Sequence, residues 1–223
     1  MKTQVIKWVA AGTCAALLMV AAPAQATINV TVDPGAPWLG FMNVSELPEN
    51  GGAYVFGSGW GTADLPAVFT GPTLKLSPNT NTYNQADPFW TQPDGDGNKQ
   101  MNANFYVEVN GLEGEDIHFG GKTVSNTFVA PYVSQAWIKV FASDYSSVLV
   151  DTYATLTTDT FFSLDLTVPN TPGVHMQYGF STDGPNANPA TVDALGRVLV
   201  LPEPSSLLLT FACAGAFAIR RRR

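Results

Sequence analysis

Residues 161–168 read Phe-Phe-Ser-Leu-Asp-Leu-Thr-Val, and within them Phe162, Leu164, Leu166 and Val168 alternate with Ser163, Asp165 and Thr167. A period of two sends every second side chain to one side of an extended backbone, so this stretch is a strand with one buried face. The same rhythm returns elsewhere. Residues 104–109 set Phe105, Val107 and Val109 against Asn104, Tyr106 and Glu108, and residues 137–141 set Ile138 and Val140 against Trp137, Lys139 and Phe141. Residues 174–180 set Val174, Met176, Tyr178 and Phe180 against His175, Gln177 and Gly179. Turn-forming groups such as Asn50-Gly51-Gly52, Asn110-Gly111, Pro172-Gly173 and Asp183-Gly184-Pro185 separate the runs. Helical spacing is absent between the two ends of the chain. Roughly ten or eleven short strands divided by such turns predict an all-β fold, a single antiparallel β-sandwich of jelly-roll type. Its core is expected to bring together Phe105, Val107, Ile138, Val140, Phe162, Leu164, Val174 and Met176.

The two ends have a different character. Residues 1–26 carry Lys2 and Lys7, an apolar stretch over 8–22, and the small-residue site Ala24-Gln25-Ala26. That is the layout of a secretory signal peptide on a helix, cut by signal peptidase before Thr27. Residues 202–223 read Pro202-Glu203-Pro204, two serines, 13 mostly apolar residues over 207–219, and Arg220, Arg221, Arg222 and Arg223. A comfortable membrane span needs about 20 apolar residues, so this hydrophobic helix is short for a stable anchor. The four arginines resist translocation and mark the cytoplasmic side. Together these residues closely resemble the PEP-CTERM sorting signal of Gram-negative bacteria. The resemblance implies cleavage at Pro202-Glu203-Pro204 by an exosortase-like membrane protease. The chain would then be held transiently at the inner membrane and passed to the outer surface or extracellular matrix.

Between these ends, residues 27–201 form one candidate domain. Both cysteines, Cys14 and Cys213, lie outside it, so its stability rests on an apolar core without disulfides or thiolate metal sites. Its five Lys/Arg and 17 Asp/Glu leave a net charge of −12, a surface that repels phosphate backbones. Nucleic acid is therefore not an expected partner, whereas polysaccharides, divalent cations and proteins are.

Residues 76–102 interrupt the strand rhythm with a long polar segment, and such segments often carry function. Within it Asp94-Gly95-Asp96-Gly97-Asn98 places Asp94, Asp96 and Asn98 at alternate positions, as at the start of a calcium loop. The twelfth position from Asp94 is Phe105 instead of a bidentate Glu, so calcium is a candidate ligand on an incomplete motif. Trp60, set among glycines in Gly57-Ser58-Gly59-Trp60-Gly61, is a candidate platform for a sugar ring, and Tyr83 and Trp90 are similar loop aromatics. Trp38 and Trp137 stand in apolar strand contexts and are assigned to the core. His118 and His175 fall on polar strand faces, where solvation is expected. Should that sheet be concave, His175 and Gln177 would line a polar groove. No catalytic motif stands out, and no catalytic residue is assigned.

Three stretches, 136–140 (Ala-Trp-Ile-Lys-Val), 161–166 (Phe-Phe-Ser-Leu-Asp-Leu) and 176–184 (Met-Gln-Tyr-Gly-Phe-Ser-Thr-Asp-Gly), resemble the later strands and glycine turn of carbohydrate-binding-module jelly rolls. The resemblance implies glycan contact and transfers no site residue. The expected function is that of a non-enzymatic secreted or cell-surface protein associated with extracellular polysaccharide. The alternatives are an adhesive module without glycan binding and a small secreted polysaccharide hydrolase.

Overall fold

The computed structural model describes residues 26–203, whose backbone forms twelve strands and three single 3₁₀ turns. The strands are β1 (Ile28–Thr31), β2 (Leu39–Ser45), β3 (Tyr54–Trp60), β4 (Ala67–Thr70), β5 (Thr73–Leu76) and β6 (Gln100–Asn110). They continue with β7 (Asp116–Asn126), β8 (Val133–Phe141), β9 (Val148–Thr155), β10 (Thr160–Thr167), β11 (His175–Pro185) and β12 (Val198–Pro202). Two six-stranded sheets result. The first runs β1-β7-β12-β5-β4 with β10 also on β7, and the second runs β3-β2-β6-β11-β8-β9. From β5 onward the chain changes sheet at every connection except β8–β9, as expected of a sandwich built from crossovers.

The alternating runs behave as their spacing requires. Phe105, Val107, Ile138, Val140, Phe162, Leu164, Val174 and Met176 are all buried in one core cluster between the sheets. Aromatic rings fill its centre, with Phe119 lying 5.0 Å from Tyr178, 5.3 Å from Phe162 and 5.6 Å from Phe180 between ring centroids. Trp38 joins them, stacked on Phe105 at 4.4 Å and 3°. Its assignment to the core therefore holds, with the indole N–H donating to the Asp33 carbonyl at 2.7 Å.

One pairing departs from the antiparallel expectation. β1 runs parallel to β7, matching Ile28 to Ile117 and Thr31 to Gly120. β10 occupies the opposite edge of β7, so β1 and β12 lie end to end along a single edge. That arrangement carries β12 one residue past the boundary at 201: Pro202 pairs with Gly121 as part of the sheet. Pro202 and Glu203 are thus held against the first sheet. The flanking helices expected at both ends, with Ala24, Pro204 and Arg220–Arg223, lie outside the described residues. Among the described residues no helix is long and apolar enough to cross a membrane.

The held end has a specific clasp. His118 on β7 bonds through Nδ1 to Asp165 Oδ1 at 2.8 Å and through Nε2 to Glu203 Oε2 at 3.2 Å. A Cβ at position 120 would sit 2.5 Å from that same glutamate oxygen, so Gly120 supplies the space the carboxylate occupies. His118 is therefore bound between two acids, where simple solvation had been expected. The hydrogen bond to Asp165, helped by Glu203 and opposed by burial, raises the imidazole pKa above its ordinary 6.5.

Two predictions follow from this packing. Leu164→Ala removes a side chain from the sealed core and should cost about 2–5 kcal/mol in urea unfolding; a loss within error of zero would contradict the register of β10. For His118, a raised folded pKa means the folded chain binds the proton more tightly than the unfolded chain. Its contribution is complete below the ordinary value of 6.5 and is lost as pH rises through the folded pKa. The stability difference between wild type and His118→Gln should accordingly be larger in mildly acidic than in mildly alkaline buffer. Equal differences would rule out an imidazolium clasp.

Candidate functional site

Neighbouring strands in a sheet place their side chains in rows, and the outer face of the second sheet carries two informative rows. Across β6, β11, β8 and β9 one row reads Tyr106, Gly179, Trp137, Tyr153, and the next reads Glu108, Gln177, Lys139, Asp151. Gly179 makes the first row possible. A Cβ there would come 2.2 Å from the Phe105 carbonyl oxygen and 2.6 Å from Tyr106 Cα. With no side chain at 179, the Tyr106 and Trp137 rings approach to 6.0 Å between centroids, tilted by 38°. They form an aromatic floor.

Walls rise on both sides of this floor. From β2 come Phe41 and Asn43; from the β8–β9 hairpin comes Tyr145, whose φ of 58° lies in the left-handed region uncommon for a bulky residue. Tyr145 stacks on His175 at 4.1 Å and 12°, and its hydroxyl donates to Glu108 Oε1 at 2.8 Å. His175 is fixed in turn, with Nδ1 2.8 Å from Asn110 Oδ1 and Nε2 3.3 Å from the Ser143 carbonyl. The groove has a volume of about 500 Å³ and is open to solvent. It falls in the size range of small-ligand sites, whose walls are largely apolar with a few placed polar groups.

Electrostatics in the groove are sparse. Glu108 is the one carboxylate among its lining residues and Lys139 the one cation. Glu108 is already engaged, since Gln177 Nε2 donates to Oε2 at 2.7 Å while Tyr145 holds Oε1. Burial, then the nearby Glu108 charge, raises the Tyr106 hydroxyl pKa, and desolvation together with the Glu108 bond pushes Tyr145 up to about 12. Two buried polar atoms lining the groove have no partner, Asn104 Oδ1 and Trp137 Nε1.

The residues singled out from sequence divide sharply. Gln177 lines the groove, and His175 supports Tyr145 at its end. Trp60 is a correction: register pairs it with Gly40 on the core-facing side of β3, where it is half-buried against the core and its indole donates to Ser58 Oγ at 3.0 Å. Glycines beside an aromatic do not expose it when the strand turns it inward. Trp90 packs edge-on to Phe56 at 6.2 Å, also against the core. Tyr83 ties the long segment together, donating to the Gly95 carbonyl and accepting from Asn188 Nδ2, both at 3.0 Å.

The Asp94–Asn98 turn is closed by its own bonds. The Asp96 N–H donates to Asp94 Oδ1 at 3.1 Å, and Asn98 Nδ2 donates to the Pro88 carbonyl at 2.7 Å. Among the described residues no three His, Cys, Asp or Glu side chains converge as a metal site would require.

Trp137 is the second correction. It is 1% exposed, yet it lies on the outer face, outside the core cluster, and Lys139 Nζ covers its ring at 4.3 Å. Sequence reading overlooked Tyr106, Trp137, Lys139 and Tyr145 as groove residues. The signal was available for two of them: Tyr106 and Trp137 are large aromatics on the side of an alternating strand where polar residues belong. Gly179→Ala should destabilise the protein by about 1–3 kcal/mol through its clash with the β6 backbone, measured by chemical unfolding. Unchanged stability would mean the close approach of β6 and β11 is not needed.

No protein-family model matches this sequence, and no curated protein matches it. Two solved structures show similarity, and both are carbohydrate-binding modules. TmCBM61, solved in complex with β-1,4-galactotriose, is 11% identical with a TM-score of 0.33, over 74% of this chain and 83% of its own. A CBM4 structure is 11% identical with a TM-score of 0.33, over 78% of this chain and 95% of its own. Both are too distant to transfer a site residue.

Proposed function

We propose that this chain is a non-enzymatic, exported glycan-binding module that takes a polysaccharide segment in the outer-face groove of its second sheet. The observation that carries this reading is the Tyr106 ring beside Gly179, backed by Trp137 buried under Lys139, walled by Tyr145 and rimmed by amides. Sugar rings offer apolar C–H faces and hydroxyl edges. A ring lying on Tyr106 buries its C–H face, while Asn43 and Gln177 are placed to meet the hydroxyls. Every lining residue of the groove except Tyr145 lies on a strand, and strands hold side chains more firmly than loops do.

Hydrolysis is less well supported. Glycosidic cleavage by acid and base or nucleophile takes two carboxylates flanking the bond. Glu108 stands alone among the groove's lining residues, with both oxygens already accepting hydrogen bonds. Export through residues 1–26 and sorting through the PEP-CTERM-like residues 202–223 belong to the same proposal. They would carry the groove to the cell surface or matrix, where extracellular polysaccharide is at hand.

Titration of the full-length protein with a panel of soluble polysaccharides, read by tryptophan fluorescence and calorimetry, tests the reading. Binding is expected, with Tyr106→Ala and Tyr145→Ala each weakening it roughly tenfold as central contacts do. Full affinity in both variants, or no binding by wild type across the panel, would overturn it.

A further inference from the structure

Five cations serve the candidate domain of net charge −12, and one of them lies in the groove. Lys99 and Lys122 each pair with a carboxylate, Glu46 at 3.0 Å and Asp159 at 2.7 Å. Among the described residues Lys139 has no such partner. Its ammonium rests on aromatic faces instead, 4.3 Å from the centre of the Trp137 ring and 5.7 Å from that of Tyr153.

Neither acid nearby forms an ion pair with it, although the Asp151 charge acts on it from the neighbouring strand. Glu108, two strands away, accepts from Tyr145 and Gln177. Asp151 faces Lys139 from β9, and its Oδ2 accepts the Tyr153 hydroxyl at 2.8 Å. Burial lowers the Lys139 pKa and Asp151 opposes that shift without cancelling it. A half-buried ammonium that lies over rings with no carboxylate at ion-pair distance gains more from a carboxylate than a fully solvated one does, because less water is displaced when the pair forms.

Resting on the glycan-binding reading above, we propose that the polysaccharide is acidic: a uronate-type sugar lies on the groove floor and its carboxylate pairs with Lys139. As the ammonium turns from Trp137 to the carboxylate it uncovers the indole face for the ring of the same or the next sugar. One residue thus links charge recognition to stacking. The acidity of the domain as a whole does not oppose this, since at physiological ionic strength exposed charges beyond about 8 Å are largely screened. In the local row Glu108 and Asp151 keep their charges while accepting hydrogen bonds, so the ligand carboxylate is favoured only where it lies closer to the Lys139 ammonium than to either acid.

The experiment uses the full-length protein with polygalacturonate, alginate and hyaluronan, each tested as the native polymer and after chemical reduction of its carboxyl groups. At least one acidic polymer should bind about tenfold more tightly than its reduced form, with an affinity that falls as salt rises. Lys139→Met should remove that preference, so that the acidic polymer binds no more tightly than its reduced form, and Lys139→Arg should restore it. Circular dichroism of both variants checks that the fold is kept. If reduced polymers bind as well as their acidic parents and Lys139→Met changes nothing, the acidic-ligand proposal is overturned while the glycan groove stands. If no polymer binds in either form, the groove reading fails and takes this proposal with it.

Discussion

Strand β11 is covered on both of its faces, and the core and the groove alike depend on that coverage. Of its inward residues, Tyr178 and Phe180 meet the rings of Phe119 and Phe162 from the first sheet, and Met176 is buried in the same core cluster. Its outward residues Gln177, Gly179 and Ser181 are buried as well, because the side chains of β6 and β8 close over them. A central strand in this position cannot tolerate bulk on its outer side. Glycine at 179 meets the constraint and lets two large rings from neighbouring strands share the space above it.

The groove inherits its rigidity from this arrangement. β6 and β11 are each eleven residues long and paired along their whole length, so the floor is backed by continuous backbone hydrogen bonding and a sealed core. Beyond the aromatic row the same face continues as a polar ladder. Asn43 and Asn104 both donate to Asn102 Oδ1, at 3.3 and 2.6 Å, and Asn102 and Gln100 both donate to Asp183. An apolar middle with a hydrogen-bonded amide end suits a ligand that is amphipathic along its length.

The long segment between β5 and β6 has a different role from the one its composition suggested. It is sewn into the end of the sandwich. Asn186 and Ala187 donate backbone N–H groups to the Lys99 and Asn79 carbonyls at 2.9 and 2.7 Å, and a Cβ at Gly97 would lie 1.9 Å from the Asn186 carbonyl oxygen. Lys99 is buried there, paired with Glu46 and lying 4.5 Å over Phe89. Polar residues that would be free in a mobile loop are spent here on closing backbone bonds, leaving the acidic turn at Asp94–Asn98 as part of a structural seal.

The all-β class, the two-faced strands and the core residues from Phe105 to Met176 were written in the sequence, because a period of two is a local property that survives in any sheet. The place of Gln177 and the supporting position of His175 could be read the same way, conditional on the curvature of the sheet. Which strands became neighbours was decided only in three dimensions. Local spacing cannot set Tyr106 beside Trp137, since they lie on strands separated by β11 and meet only through its pairing register. Nor can it show that Trp60 turns inward on β3, that Tyr145 folds back onto His175, or that β1 pairs parallel to β7. Those outcomes follow from long-range registry, where one residue of slip would send every side chain to the opposite face.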